Sequence, residues 1–105
     1  MSSDVTISLV GGQWQCSPDP VVVKGNNVNL KFTLTAAGYS FRATDPIVVQ
    51  NPGDQFPERS VRKDAITATL KDKNTKKGDF KYSAFVVNDA TGQGTEIDPT
   101  IRNEL

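Results

Sequence analysis

From Val5 to Leu9 apolar and polar residues alternate, with Val5, Ile7 and Leu9 facing one way and Thr6 and Ser8 the other. A period of two predicts a half-buried strand. Val28, Leu30, Phe32 and Leu34 repeat the pattern against Asn29, Lys31 and Thr33. Between these runs lies Pro18-Asp19-Pro20, whose fixed φ angles and missing donors forbid a central ladder position. The apolar run Val21-Val22-Val23 follows and ends at Lys24-Gly25-Asn26-Asn27. Gly and Asn accept positive φ, so the tetrad reads as a turn. Val21 to Leu34 is therefore expected to form a first hairpin, with Val21 and Val23 on the inner face beside the Val28 series.

Farther on, Ala36-Ala37-Gly38 interrupts the pattern, Tyr39 to Ala43 reads as a short strand, and Ile47-Val48-Val49 follows Asp45-Pro46. Gln50 to Arg59, which contains Pro52, Gly53 and Pro57, is the longest evident loop, and a single helical turn is placed between Gln55 and Ala65. Ile66, Ala68 and Leu70 alternate with Thr67 and Thr69 in the next strand. Lys71 to Asp79 reads as a charged turn, a solvated hairpin tip, with Gly78 as its flexible point. In Phe80 to Val87 one face carries Phe80, Tyr82, Ala84 and Val86, and the other Lys81, Ser83, Phe85 and Val87. The second face turns apolar at its far end, so this strand is expected to be central and covered on both sides there. Thr91-Gly92-Gln93-Gly94 makes a last turn before a terminal strand, Ile97 to Ile101, punctuated by Pro99. Seven or eight short strands between Gly, Pro and Asn turns predict an all-β sandwich, one domain over residues 1–105.

Composition narrows the chemistry. The 105 residues include 26 Val, Leu, Ile and Phe, about a quarter of the chain, which clears the roughly one-fifth level below which chains tend to stay disordered. There is no His, so a Ser-His-Asp triad, a Cys-His dyad and a His-bearing zinc or copper site are excluded within the chain. Twelve basic residues balance twelve acidic ones, which argues against nucleic acid held by bulk electrostatics. One Cys cannot close an internal disulfide. Met1-Ser2-Ser3-Asp4 has neither a basic nor an apolar leader region, and no apolar run nears the ~20 residues that span a bilayer. A soluble cytoplasmic protein, without membrane contact, is the expectation.

Two stretches carry a resemblance. Between Asp19 and Leu34 the chain reads Pro-Val-Val-Val-Lys-Gly-Asn-Asn-Val-Asn-Leu-Lys-Phe, and later Gly78-Asp79-Phe80-Lys81-Tyr82. Together they resemble the early hairpin of cupredoxins and the stretch leading to the cupredoxin copper loop. The resemblance implies a Greek-key sandwich of cupredoxin-like or immunoglobulin-like type. In copper-carrying members a Cys, a His and often a Met follow the Tyr, but here Ser83-Ala84-Phe85-Val86-Val87-Asn88 follows. A His2Cys copper site cannot be assembled, so no cofactor is expected. Asp19-Pro20, Asp45-Pro46 and Asp98-Pro99 resemble the recurring pairs of the bacterial DP-EP family, although no Glu-Pro occurs and the nearest pair is the reversed Pro57-Glu58. That family implies a β-sandwich with no assigned activity.

Few residues offer chemistry. Cys16 has no neighbouring cation in sequence and reads as an inert thiol. Trp14 either stacks on a sugar or partner or plugs one end of the sandwich. Asp19, Asp45 and Asp98 either gather as Ca²⁺ ligands, with Asp54 or Asp89 nearby, or cap their own turns. Lys71, Lys73, Lys76, Lys77 and Lys81 form a patch broken by Asp72 and Asp79. The expected function is a non-enzymatic binding or assembly module, with a protein partner or self-association as a homodimer through an edge strand. Val5 to Val10 and Ile97 to Ile101 are the expected exposed edges. A Ca²⁺- or sugar-binding carrier and a structural subunit of a larger particle are the alternatives. The candidate binding surface comprises Trp14, Asp19, Asp45 and Asp98, with no catalytic or metal residues assigned.

Overall fold

A computed structural model describes residues 2–56, 58–61 and 65–104. Eleven strands are formed there and no helix: β1 (Ser2–Val10), β2 (Gln13–Ser17), β3 (Val21–Lys24), β4 (Val28–Leu34), β5 (Tyr39–Phe41), β6 (Ile47–Val49), β7 (Glu58–Val61), β8 (Thr67–Asp72), β9 (Gly78–Asn88), β10 (Gly94–Ile97) and β11 (Thr100–Glu104). They make two mixed sheets packed as a sandwich. One sheet has the order β2-β1-β4-β8-β7, and the other is built on β9. Both β5 and β10 pair with Val86 and Val87, so they occupy opposite edges of β9. β6 continues the β5 edge, while β11 continues the β10 edge and pairs in parallel with β3.

The alternation read from the sequence decides what lies inside. Val5 and Ile7 of β1, Val28, Leu30, Phe32 and Leu34 of β4, and Tyr82, Ala84 and Val86 of β9 are buried in one hydrophobic cluster. Phe32 and Tyr82 meet edge-on across the sheets, ring centroids 5.4 Å apart, and burying such side chains contributes roughly 1.5–3 kcal/mol each. Phe56, from the loop after β6, packs against Phe80 at 5.2 Å and closes the core from the side.

Several expectations are corrected. Val21 to Leu34 is not a hairpin: β3 joins β11 in one sheet, while β4 lies between β1 and β8 in the other. Both runs bury alternate residues, so an arch that carries the chain between sheets satisfies the pattern as well as a hairpin does. Gly25 and Asn27, at φ +82° and +55°, supply its bend. Lys71 to Asp79 is likewise no solvated hairpin tip, because β8 runs on to Asp72 and β9 lies in the opposite sheet. Asp72 and Asn74 are buried there. Ile66 stands outside β8 and is 40% exposed. Glu58–Val61 is strand where a helical turn was placed, and Pro57 and residues 62–64 of that stretch lie outside the described residues. Ile97 to Ile101 divides into β10 and β11 at Asp98-Pro99.

The two arches hold each other. Asn26 donates to the carbonyl of Asn74 (3.0 Å) and the Asn27 N–H to that of Lys73 (3.1 Å). Asn74 Nδ2 in turn reaches the carbonyls of Val23, Gly25 and Glu104 (3.2, 2.8 and 2.8 Å). Gln55 Oε1 accepts the N–H groups of Thr75 and Lys76 (2.9 and 3.1 Å). The hydroxyl of Tyr82 is buried without a hydrogen-bond partner, as is Oδ1 of Asn74 in the arch. An unsatisfied buried hydroxyl costs about 1–3 kcal/mol. Tyr82→Phe, which removes only that group, is expected to raise the unfolding free energy by about 1 kcal/mol in a urea titration.

Candidate binding surface

β2 is the strand that periodicity missed. Gly11 and Gly12, at φ +57° and +79°, make a two-residue turn, and Val10 pairs with Gln13 across it. Two glycines between alternating runs are a strong hairpin signal, and this pair was the one available cue. The hairpin places β1 between β2 and β4, but of the expected edge Val5 to Val10 only Thr6 and Ile7 pair on both sides; Val5 pairs with β4 alone and Ser8 to Val10 with β2 alone. Of the other expected edge, the β11 part is covered by β3, whereas β10 pairs with β9 alone among the described residues.

Edges differ in how they are guarded. β7 carries Glu58 and Arg59, β3 follows Pro20 and ends in Lys24, and β10 carries Glu96 and runs into Pro99. β5 and β6 are three residues each, separated by a link containing Pro46. Charge, proline and brevity all discourage pairing with another chain. β2, five residues long, carries neither a charge nor a proline within the strand, and its one guard is Pro18, which follows Ser17. Its Gln13, Gln15 and Ser17 point outward, while Trp14 and Cys16 are half-buried against the core.

Trp14 meets Tyr39 of the opposite sheet edge-on at 5.0 Å, which closes that end of the sandwich. The thiol of Cys16 is pushed up to about 11, first by burial and then by the negative charge of Asp19. Asp19 lies just past β2, and its carboxylate accepts the N–H of Thr100 at 3.0 Å, tying this exit to the start of β11. Asp98, two residues before Thr100, accepts from Lys81 Nζ through its carbonyl at 3.0 Å. Its Oδ1 lies 3.2 Å from the Ser83 hydroxyl, which also donates to Glu96. Asp45 sits on the far edge of β9 at φ +47°, with its carbonyl held by Arg42 at 2.7 Å. The structure therefore brings Asp19 and the Asp98 corner to the start of β11, sets Trp14 against Tyr39 of β5, and leaves Asp45 on the β5–β6 edge. Among the described residues no group of three or more acidic or sulfur side chains is placed to share a metal ion.

Sequence reasoning singled out neither Phe85 nor Arg42 as a site residue. On the outward face of β9, Phe85 lies half-buried beneath the Arg42 guanidinium, 3.8 Å from its ring centroid. Arg42 is pinned by the carbonyls of Thr44 and Asp45, both at 2.7 Å. Beside this stack Val87, Thr95 and Glu96 help line a hollow of about 270 Å³. The cue in the sequence was the apolar drift of the second face, Phe85 and Val87.

A thiol at about 11 holds roughly a hundredfold less thiolate at pH 8 than a free cysteine. Alkylation of Cys16 by iodoacetamide at that pH is expected to be slower than for a free thiol by about that factor, and unfolding in denaturant to restore the ordinary rate. No protein-family model matches the chain, and no curated protein is significantly similar to it.

Proposed function

We propose that this chain is a non-enzymatic binding or assembly module that works by strand addition at β2, with a second copy of itself as partner. The observation that carries the reading is the edge of β2, without charge or proline within the strand. An open edge presents main-chain donors and acceptors in a row, and a second extended strand satisfies them. The segment is self-complementary. An antiparallel pair centred on Gln15 sets Gln15 against its own copy, Trp14 against Cys16, and Gln13 against Ser17. No charge lies in the strand to oppose this pairing, and the chain as a whole is neutral.

The resemblance to cupredoxin-like sandwiches and to the DP-EP family accords with this reading, since the Cys and His that a cupredoxin copper loop carries after the Tyr are absent after Tyr82. A subunit of a larger particle is the same reading with a different chain on β2. The calcium-carrier alternative draws less support, because Asp19, Asp45 and Asp98 meet different partners at separate corners. No helix of the described residues is long and apolar enough to cross a membrane.

Sedimentation velocity over a concentration series tests the proposal. The wild-type chain is expected to dimerise between micromolar and millimolar concentration. Gln15→Lys and Gln15→Glu each set like charges face to face at the two-fold, and each is expected to weaken the dimer about fivefold (~1 kcal/mol). Mixing the two variants is expected to restore it through opposite charges. A wild-type chain that stays monomeric at millimolar concentration overturns the reading.

A further inference from the structure

Asp72, at the end of β8, is 0% exposed. Its Oδ1 accepts the N–H of Asn74 at 2.9 Å and a hydrogen from Asn103 Nδ2 at 3.3 Å. Its Oδ2 has no partner, and neither does Oδ1 of Asn103, a residue also 0% exposed. The Asn103 carboxamide cannot be turned over, because its Nδ2 also donates to the carbonyl of Lys76 at 3.2 Å. Reversal would set its oxygen against two acceptors. What stands here is half of a familiar ring. A carboxylic acid and a carboxamide pair through two antiparallel hydrogen bonds, one N–H to carbonyl and one O–H to carbonyl. The first bond is present, and Asp72 Oδ2 and Asn103 Oδ1 are the atoms the second would join. Asn74 Oδ1 is a third buried oxygen of the crossing without a partner, but its carboxamide is already held by three carbonyls through Nδ2. An ionised carboxylate only accepts, so it cannot make that bond.

We propose that Asp72 is a neutral acid in the folded protein, its Oδ2–H donating to Asn103 Oδ1 and closing an acid–carboxamide ring where the chain crosses between the sheets. Taking an unpaired carboxylate out of water is costly, and such a group takes up a proton instead. Burial raises the pKa of Asp72 by more than the hydrogen bonds from Asn74 and Asn103 lower it. The charged groups around the crossing are Lys71 on β8, Lys73, Lys76 and Lys77 in the arch, Asp54 in the loop against it, Lys24 on β3, Asp79 on β9, and Arg102 and Glu104 on β11. Lys24 pairs with Glu104 at 3.9 Å and Arg102 with Asp79 at 2.9 Å. None of these charges is among the causes of the Asp72 shift.

The ring makes the crossing sensitive to pH. Well below the ordinary aspartate range both folded and unfolded chains hold the proton, and its contribution is complete. As pH rises, the unfolded chain ionises first and stability falls. The loss ends once the folded-state pKa has been passed. There the crossing holds a bare charge beside the Asn103 oxygen, and the junction of β8 with β11 loosens.

Carbon-13 titration of the side-chain carboxyls in the wild-type chain tests this directly, with Asp72 assigned by correlation to its backbone. At about pH 5.5, where ordinary aspartates are ionised, the Asp72 carboxyl is expected to keep its protonated shift. Asp72→Asn places an N–H where the acid carries its O–H. Its folding equilibrium constant at pH 7 is expected to be unchanged or up to about tenfold larger, and its stability to lose the pH dependence of the wild type in this window. Titration of Asp72 within or below the ordinary range overturns the proposal, and so does a more than tenfold loss of stability in Asp72→Asn.

Discussion

A chain that leaves one sheet for the other carries main-chain groups out of their ladders, and each one that stays buried needs a new partner. This constraint governs the sandwich. At the crossing between β8 and β9 one carboxamide, that of Asn74, gathers carbonyls from the end of β3, from the arch after it and from the end of β11. Asn26 and Asn27 return the tie from the other arch. By register, Val28 pairs with Asp72 at this end, whereas Trp14 pairs with Leu9 near the far end of β1 and Tyr39 with Asn88 at the far end of β9. One end of the core is thus sealed by polar groups that meet one another, and the other by aromatic rings. Apolar burial drives the two sheets together, and the main-chain carbonyls gathered at the crossing determine how they are connected.

Much of the sandwich was legible because period-two alternation depends only on one face being wet. The Val28 series and the Tyr82, Ala84 and Val86 face went inside as read. Alternation does not say which sheet a strand joins. Val21 to Leu34 would bury the same valines as a hairpin or as an arch, and the choice rests on what receives the carbonyls of Val23 and Gly25. That receiver is Asn74, about 50 residues away in sequence. Distant partners also explain why the 71–79 stretch was misread. Its lysines suggest solvent, but Asp72 and Asn74 are drawn inward by Asn103 and the β3 end.

The candidate site was less legible, because edges are a property of topology. The sequence marks where strands begin and end, but Thr6 and Ile7 of β1 gain partners on both sides only when Gly11-Gly12 folds β2 back against it. Trp14 and Asp19 then take different tasks from those a cation site would give them. One caps the core, and the other fastens the β2 exit to Thr100. The Asp-Pro pairs act as corners, and their carboxylates are spread over both edges of β9.

The chain has one tryptophan, and it lies on the outermost strand of its sheet against Tyr39, while the rings of Phe32 and Tyr82 are fully buried in the core. Indole emission therefore follows a single peripheral event, the peeling of that strand and the wetting of its inward face. It is nearly blind to melting of the interior. Fluorescence and far-ultraviolet dichroism will coincide only if the rim and the centre come apart together, so a gap between the two signals measures how independently the rim can fray.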